Sequence, residues 1–215
     1  MEPYIVITGL LNPSFIEPLI QTYHEIQHKC ISTWNDQDPI LLYQLEYAGF
    51  KIILNNYPEN INSENVQQRT TYQGLCFAKS QGFTHAIRMR TDVKTSDMKK
   101  FFKNIRPMYD TKITCFCGIE TNDGLYHLDI MYVGPVNEML RLYEKEQPIG
   151  DGRFTEMFRQ EEYYGQRSIS LDILKSKINF CFTLCELYQI DFFWKRSGGY
   201  KSIMTDYCKE NFIRL

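Results

Sequence analysis

The first half of the chain alternates two patterns. Short runs rich in β-branched residues, Tyr4 to Gly9, Cys30 to Trp34 and Phe50 to Leu54, predict strands; between them apolar residues recur every three to four positions, as on a helix face. Phe15, Ile16, Leu19, Ile20 and Tyr23 form the first such face, with Ser14 as its expected cap. Ile40, Leu41, Tyr43, Leu45 and Tyr47 form the second, from Pro39 to Ala48, closed by Gly49. Asn65 to Ser80 predicts a third helix, ended by Gly82, which feeds a strand inside THAIRMRTDV, Thr84 to Val93. A short helix follows, with Ser96 as cap and Pro107 as stop. This βαβαβαβ order predicts an α/β fold, a mostly parallel central sheet flanked by helices on both faces. Beyond it, KITCFCGI and HLDIMYVG predict strands, and NEMLRLYEKE and EEYYGQRSISLDILKSK predict helices. No linker or internal repeat interrupts the chain, so one domain is expected over residues 1–215.

THAIRMRTDV breaks the apolar rule for a central parallel strand. His85, Ile87 and Met89 fall on one face of an extended segment, and Ala86, Arg88, Arg90 and Asp92 on the other. Charges on such a strand are costly unless paired or bound to something. Arg90 and Asp92 therefore either neutralise each other or serve a charged ligand. In the second case the aspartate can hold a divalent cation while arginines face a diphosphate.

Ligands of open α/β sheets bind outside the carboxyl ends of the strands. That rule gathers Thr8 and Gly9, Thr33 to Asp36, Asn55 and Asn56, and Arg90, Thr91 and Asp92 on one rim. The first β-to-α turn, TGLLNPSF, has a single glycine. It makes neither the GxGxxG dinucleotide turn nor a GxxxxGK[ST] phosphate loop, and the glycine-rich loop of nucleotidyltransferases is missing too.

Composition narrows the classes further. The 215 residues are 43% hydrophobic and 14% aromatic, enough for a substantial core, and the net charge of −2 leaves no footprint for nucleic acid or anionic lipid. Seven cysteines without paired CxxC spacing read as buried thiols, not as a zinc site or a disulfide framework. The N-terminal run is broken by Asn12 and Pro13, so no signal peptide is expected, and no stretch is long enough to span a bilayer. A cytoplasmic protein is the resulting expectation.

ISTWNDQD, NVQQRTTYQGLCFAKSQGFTHAIRMRTDV, HLDIMYVG and EEYYG together resemble the WavE lipopolysaccharide-synthesis proteins and related bacterial and viral sugar transferases. The resemblance runs from about Thr33 to Gly165. It implies a GT-A fold and transfer of a sugar from a nucleoside diphosphate sugar to a glycan or related hydroxyl acceptor, in the host cytosol if the protein is viral. It also implies a nucleotide-binding half, residues 1–95, and an acceptor-binding half, residues 96–215. At the position of the family's DxD motif stands RTD, with Arg90 replacing the first acid. The resemblance makes Asp92 the ligand of Mn²⁺ or Mg²⁺, Arg90 a phosphate or ribose contact, and Arg69 an arginine reaching the nucleotide from the start of its helix.

An inverting transfer also needs a base for the acceptor hydroxyl, and Asp129, Asp151, Glu161 and Glu162 are the candidates. Asp129 lies inside an apolar strand and is expected to contact sugar; Glu162 or Glu161 is expected to act as base. Lys195 to Tyr200, KRSGGY, reads as a basic loop over the diphosphate or as a plain surface turn. Two other readings stand beside the transferase. One is a GT-A-like domain that binds nucleotide or carbohydrate without catalysis. The other is a zinc hydrolase built on HEIQH, His24 to His28, although histidines suit a helix C-terminus for dipole reasons alone.

Overall fold

The computed structural model describes residues 2–58, 63–109, 111–115, 118–121, 124–127, 130–148, 155–166, 173, 176–180, 191–196 and 199–202. The expected alternation is present: β1 (Tyr4–Thr8), α1 (Pro13–Tyr23), β2 (Lys29–Trp34), α2 (Pro39–Tyr47), β3 (Lys51–Asn55), α3 (Ser63–Ser80) and β4 (His85–Arg90). Then come β5 (Val93–Thr95), α4 (Met98–Tyr109), β6 (Ile113–Cys115), β7 (Gly118–Thr121), β8 (Gly124–His127), β9 (Met131–Pro135), α5 (Val136–Tyr143) and α6 (Thr155–Tyr164). The last described strands are β10 (Ile178–Phe180), β11 (Phe192–Arg196) and β12 (Gly199–Ser202).

Seven strands make the central sheet in the order β10-β6-β9-β4-β1-β2-β3. β1 pairs parallel with both β2 and β4, β2 with β3, and β10 with β6, whereas β9 runs antiparallel between β4 and β6. β1 and β2 are buried along their whole length, which explains their apolar or small-polar composition from Tyr4 to Thr8 and from Cys30 to Trp34. Ile5, Ile7, Ile31, Ile87 and Met89 pack with α1, α2 and α4 on one side of the sheet. Val6, Cys30, Ala86 and Tyr132 pack with α3 and α5 on the other. The alternation read from THAIRMRTDV therefore holds, with Ile87 and Met89 on one face and Ala86 on its opposite.

Gly74 explains how closely α3 approaches the sheet. A Cβ at this position would run into Val6 Cγ1 and stand 3.2 Å from Ser32 Cβ, so only glycine lets the middle of α3 rest on β1 and β2. At the far end of α1, Lys29 is buried and donates from Nζ to the carbonyls of Tyr23 and Ile26, at 3.0 and 2.8 Å. The ammonium thus ties the last residue of α1 to the turn that leads into β2.

Several local expectations are corrected. The cap of α1 is Asn12, two residues upstream of the expected Ser14: its Oδ1 accepts from Ser14 N at 3.0 Å, because Pro13 fills the first helical position. Likewise Asp97 Oδ1 accepts from Lys100 N at 2.8 Å, while Ser96 Oγ accepts from Asp191 N at 3.0 Å and so belongs to the approach to β11. The helix α4 continues past Pro107 to Tyr109. KITCFCGI is two strands, β6 and β7, and α6 begins at Thr155, ahead of the expected EEYYG. KRSGGY takes part in a hairpin: Lys195 pairs with Tyr200 and Arg196 with Gly199. That hairpin joins β5 in a separate three-stranded sheet.

Candidate functional site

A cleft of about 470 Å³ opens where β1 and β4 end side by side. This is a switch point of the sheet. The chain leaves β1 for α1 on one face and reaches β4 from α3 on the other. Thr8 and Gly9 come from the end of β1, Arg88, Arg90, Thr91 and Asp92 from that of β4. Leu10, Phe15, Tyr57, Val66, Gln67 and Thr70 complete the walls.

The turn after β1 is held firmly. Gly9 has φ +130°, and a Cβ there would stand 2.8 Å from Thr91 Oγ1. Thr91 Oγ1 donates to Leu10 O at 2.8 Å, Thr33 Oγ1 donates to Gly9 O at 2.8 Å, and Thr91 N donates to Thr8 O at 3.0 Å. Glycine at this point thus serves a left-handed backbone and a close approach between the ends of β1 and β4.

The arginines differ in setting. Arg88 is 1% exposed, donates from Nε to Thr8 Oγ1 at 3.0 Å, and holds its guanidinium 6.0 Å from the centre of the Tyr143 ring. Arg90 grips Asp92 with two parallel bonds, Nε to Oδ1 at 2.8 Å and Nη2 to Oδ2 at 2.7 Å. Both members of this pair keep some exposure to the cleft, 24% and 16% of their side chains. Asp92 is held from behind as well, since Lys195 N of β11 donates to its carbonyl at 2.8 Å.

Asp36 is joined to the cleft wall by accepting from the hydroxyl of Tyr57 at 3.2 Å on each carboxylate oxygen. Burial, and then the Asp36 charge, push the Tyr57 hydroxyl above its ordinary pKa, so the phenol stays protonated and donating. The Tyr57 ring stacks on Trp34 at 4.3 Å with planes 10° apart, which fixes it as a flat wall. The cleft therefore offers a flat, largely apolar side and a guanidinium floor.

A divalent cation fits this arrangement on one condition. Such ions are commonly bound through one or two carboxylates together with substrate phosphates, so the single carboxylate of Asp92 suffices if phosphates supply further oxygens. Arg90 holds both of its oxygens, so cation and arginine compete for Asp92. Among the described residues no three His, Cys, Asp or Glu side chains gather into a metal-binding group.

Of the residues singled out in the sequence, Thr8, Gly9, Arg90, Thr91 and Asp92 come together here, with Asp36 joined through Tyr57. Arg69 is not brought to this cleft. It lies on the other flank of α3, where Nε and Nη2 donate to Glu146 Oε1 at 2.9 and 2.6 Å. Glu162 lines a third hollow beside Lys145, its ion-pair partner, and neither it nor Glu161 lines the cleft at β1 and β4. Asp129 and Asp151 lie outside the described residues. HEIQH does not form a helical pair of histidines: α1 ends at Tyr23, His24 Nδ1 bonds to Gln21 O at 2.8 Å, and His28 packs 4.8 Å from the Phe83 ring.

The fold has solved counterparts. One is 4-diphosphocytidyl-2C-methyl-D-erythritol synthase from Anaerococcus prevotii, with TM-score 0.51 at 11% identity, covering 83% of this chain and 86% of that one. Another is described as a glucose-1-phosphate thymidylyltransferase from Bacillus anthracis, with TM-score 0.50 at 10% identity, covering 83% and 85%. The fold is that of the nucleotide-diphospho-sugar transferases. No family profile and no curated protein matches the chain in sequence, so the likeness reaches the architecture and leaves the WavE resemblance on its motifs alone. No helix among the described residues is long and apolar enough to cross a membrane.

Sequence reasoning missed the apolar half of the site. Leu10 and Tyr57 line the cleft from loops, Phe15 from α1, and Val66, Gln67 and Thr70 from one face of α3. Helical spacing contains part of that signal, because Val66, Gln67 and Thr70 share a face that the neighbouring Arg69 does not.

Proposed function

We propose that the chain is a glycosyltransferase that moves a sugar from a nucleoside diphosphate sugar to a hydroxyl of a glycan or related acceptor. The observation that carries this reading is the cleft at the ends of β1 and β4, with Tyr57 as a flat wall and Arg88 and Arg90 on its floor. A nucleoside diphosphate has matching parts, a flat base at one end and an anion at the other. In the transfer, the bond between the anomeric carbon and the diphosphate oxygen breaks and its electron pair leaves with the diphosphate. The acceptor oxygen forms the new bond and gives up its proton to a base. Guanidinium groups placed where that negative charge develops lower the barrier.

Asp92 is the residue that would hold Mn²⁺ or Mg²⁺, and the cation would help neutralise the departing diphosphate. Asp129 is the acid we assign to the sugar, and Glu161 or Glu162 would need to act from outside the cleft. The TGLLNPSF turn has a single glycine and lacks the glycine-rich loop of nucleotidyltransferases, which favours a ready-made diphosphate donor.

The Arg90–Asp92 pair also supports a second reading, a domain that binds nucleotide without catalysis, because it occupies the carboxylate expected to take the metal. A thermal-shift screen of UDP, GDP, CDP and dTDP sugars, each with and without Mn²⁺, tests both. Transferase function predicts stabilisation by one nucleotide family and slow donor hydrolysis that Asp92→Ala abolishes. Stabilisation without hydrolysis selects the binding domain, and no response to any nucleotide overturns both readings.

A further inference from the structure

The second large cleft, about 560 Å³, lies on the opposite flank of α3, between the carboxyl end of β3 and the residues that follow α5. Its volume falls within the roughly 300–1,000 Å³ of small-molecule sites. Its lining is made of amides, carboxylates, a guanidinium and a ring: Asn56, Gln68, Arg69, Tyr72, Gln73 and Glu146, with Glu144 beside them. Gln68 is 1% exposed and donates from Nε2 to Tyr143 O at 2.9 Å. Its Oε1 is buried with no hydrogen-bond partner. A buried amide oxygen left in that state is costly.

Charge and hydrogen-bonding capacity together select the class of ligand. One guanidinium faces two carboxylates, Glu144 and Glu146, so the lining carries a net negative charge and disfavours an anion. A phosphate brings mainly acceptors, whereas the carboxylates and amide oxygens of this lining need donors. A hydroxyl both donates and accepts, as a mixed set of amides and carboxylates requires. The half-buried Tyr72 ring offers an apolar face for the C–H side of a pyranose.

We propose that this cleft is a binding site for a neutral saccharide, separate from the cleft at β1 and β4. The site would let the protein hold a carbohydrate chain at a distance from the reacting bond, and it stands whether or not nucleotide binds beyond α3.

The test is saturation-transfer NMR on the full chain with methyl glycosides of glucose, galactose, mannose and N-acetylglucosamine at millimolar concentration. At least one should receive saturation. The exposed double variant Asn56→Ala, Gln73→Ala should weaken that glycoside's affinity about tenfold, the equivalent of about 1.4 kcal/mol, with an unchanged melting temperature. As a second variant, Tyr72→Leu should reduce transfer to the ring protons while circular dichroism stays native. No saturation of any of the four glycosides overturns the proposal. So does binding that the variants leave untouched, or stabilisation by inorganic phosphate that Arg69→Ala removes. The nucleotide screen reads the other cleft, so either result can fail without the other.

Discussion

The two flanks of α3 make opposite sites from one helix. On one flank Val66, Gln67 and Thr70 face a cleft whose charged groups are Arg88, Arg90 and Asp92, two cations against one anion. On the other, Gln68, Arg69, Tyr72 and Gln73 face one where Glu144 and Glu146 outnumber Arg69. The scaffold is shared, so the difference in ligand must come from the sign of the charge and the type of hydrogen-bonding group. An arginine alone is therefore a poor marker of a phosphate site. Arg69 shows this, held by Glu146 on the flank away from the guanidinium floor.

The largest expected effect comes from the buried arginine. Arg88→Ala should weaken binding of the nucleotide found in the screen on the order of 100-fold, about 2–3 kcal/mol, as expected for charge-assisted hydrogen bonds. Calorimetry should show glycoside binding on the other flank unchanged; loss of both would mean that the clefts are not independent. Next comes the shared seat. Gly74→Ala forces a methyl group against Val6 and Ser32, and urea unfolding should record a loss of about 1–3 kcal/mol. Both clefts should suffer together, in contrast to Arg88→Ala.

The core beneath both clefts sets an alkaline limit. Burial raises the pKa of the Tyr23 hydroxyl and of the Cys30 thiol above their ordinary values. Each group then keeps its proton in the folded state after the unfolded chain has begun to lose it. Their contribution is full below the unfolded values, about 8.5 for Cys and 10 for Tyr, and declines as pH rises above them. Burial lowers the pKa of Lys29, and its effect is opposite, since the unfolded amine holds its proton longer than the folded one. Unfolding midpoints measured from pH 8 to 11 should fall, and Lys29→Met should make the fall steeper. The smallest effect is expected from Arg69→Ala, which removes a partly exposed ion pair and should change stability by no more than about 1 kcal/mol. It should leave nucleotide affinity within twofold. A larger loss of nucleotide affinity would return Arg69 to the role implied by the family resemblance and erase the contrast between the flanks.

Much of the sheet was legible because its determinants are local. β-branched runs, helical spacing and Gly49 and Gly82 gave four strands and three helices to within a residue or two. The rim was legible for the same reason, since strand ends in an α/β order point to one side. The antiparallel β9 was not, because HLDIMYVG has the apolar composition of a buried strand in either direction. Ser14 and Ser96 were misjudged as caps because an upstream Asn12 and a downstream Asp97 reach the free amides better. Within the site, Arg88, Arg90 and Asp92 stood out because charge on a buried strand is conspicuous. Tyr57 and Phe15 did not, because an aromatic residue in a loop or on a helix is ordinary until the fold places it against a cavity.

The bond from Lys195 N to the carbonyl of Asp92 joins residues a hundred positions apart, and β11 pairs with β5 beside it. During synthesis the parallel core of β1 to β4 has all its parts once α3 and β4 have left the ribosome. The edge of the site does not. Its last segment, β11, is made only after all of β1 to β4, so a chain stopped before Asp191 would carry those four strands with β5 unpaired and the Asp92 loop untethered. Completion of the rim thereby follows the making of the scaffold that it serves.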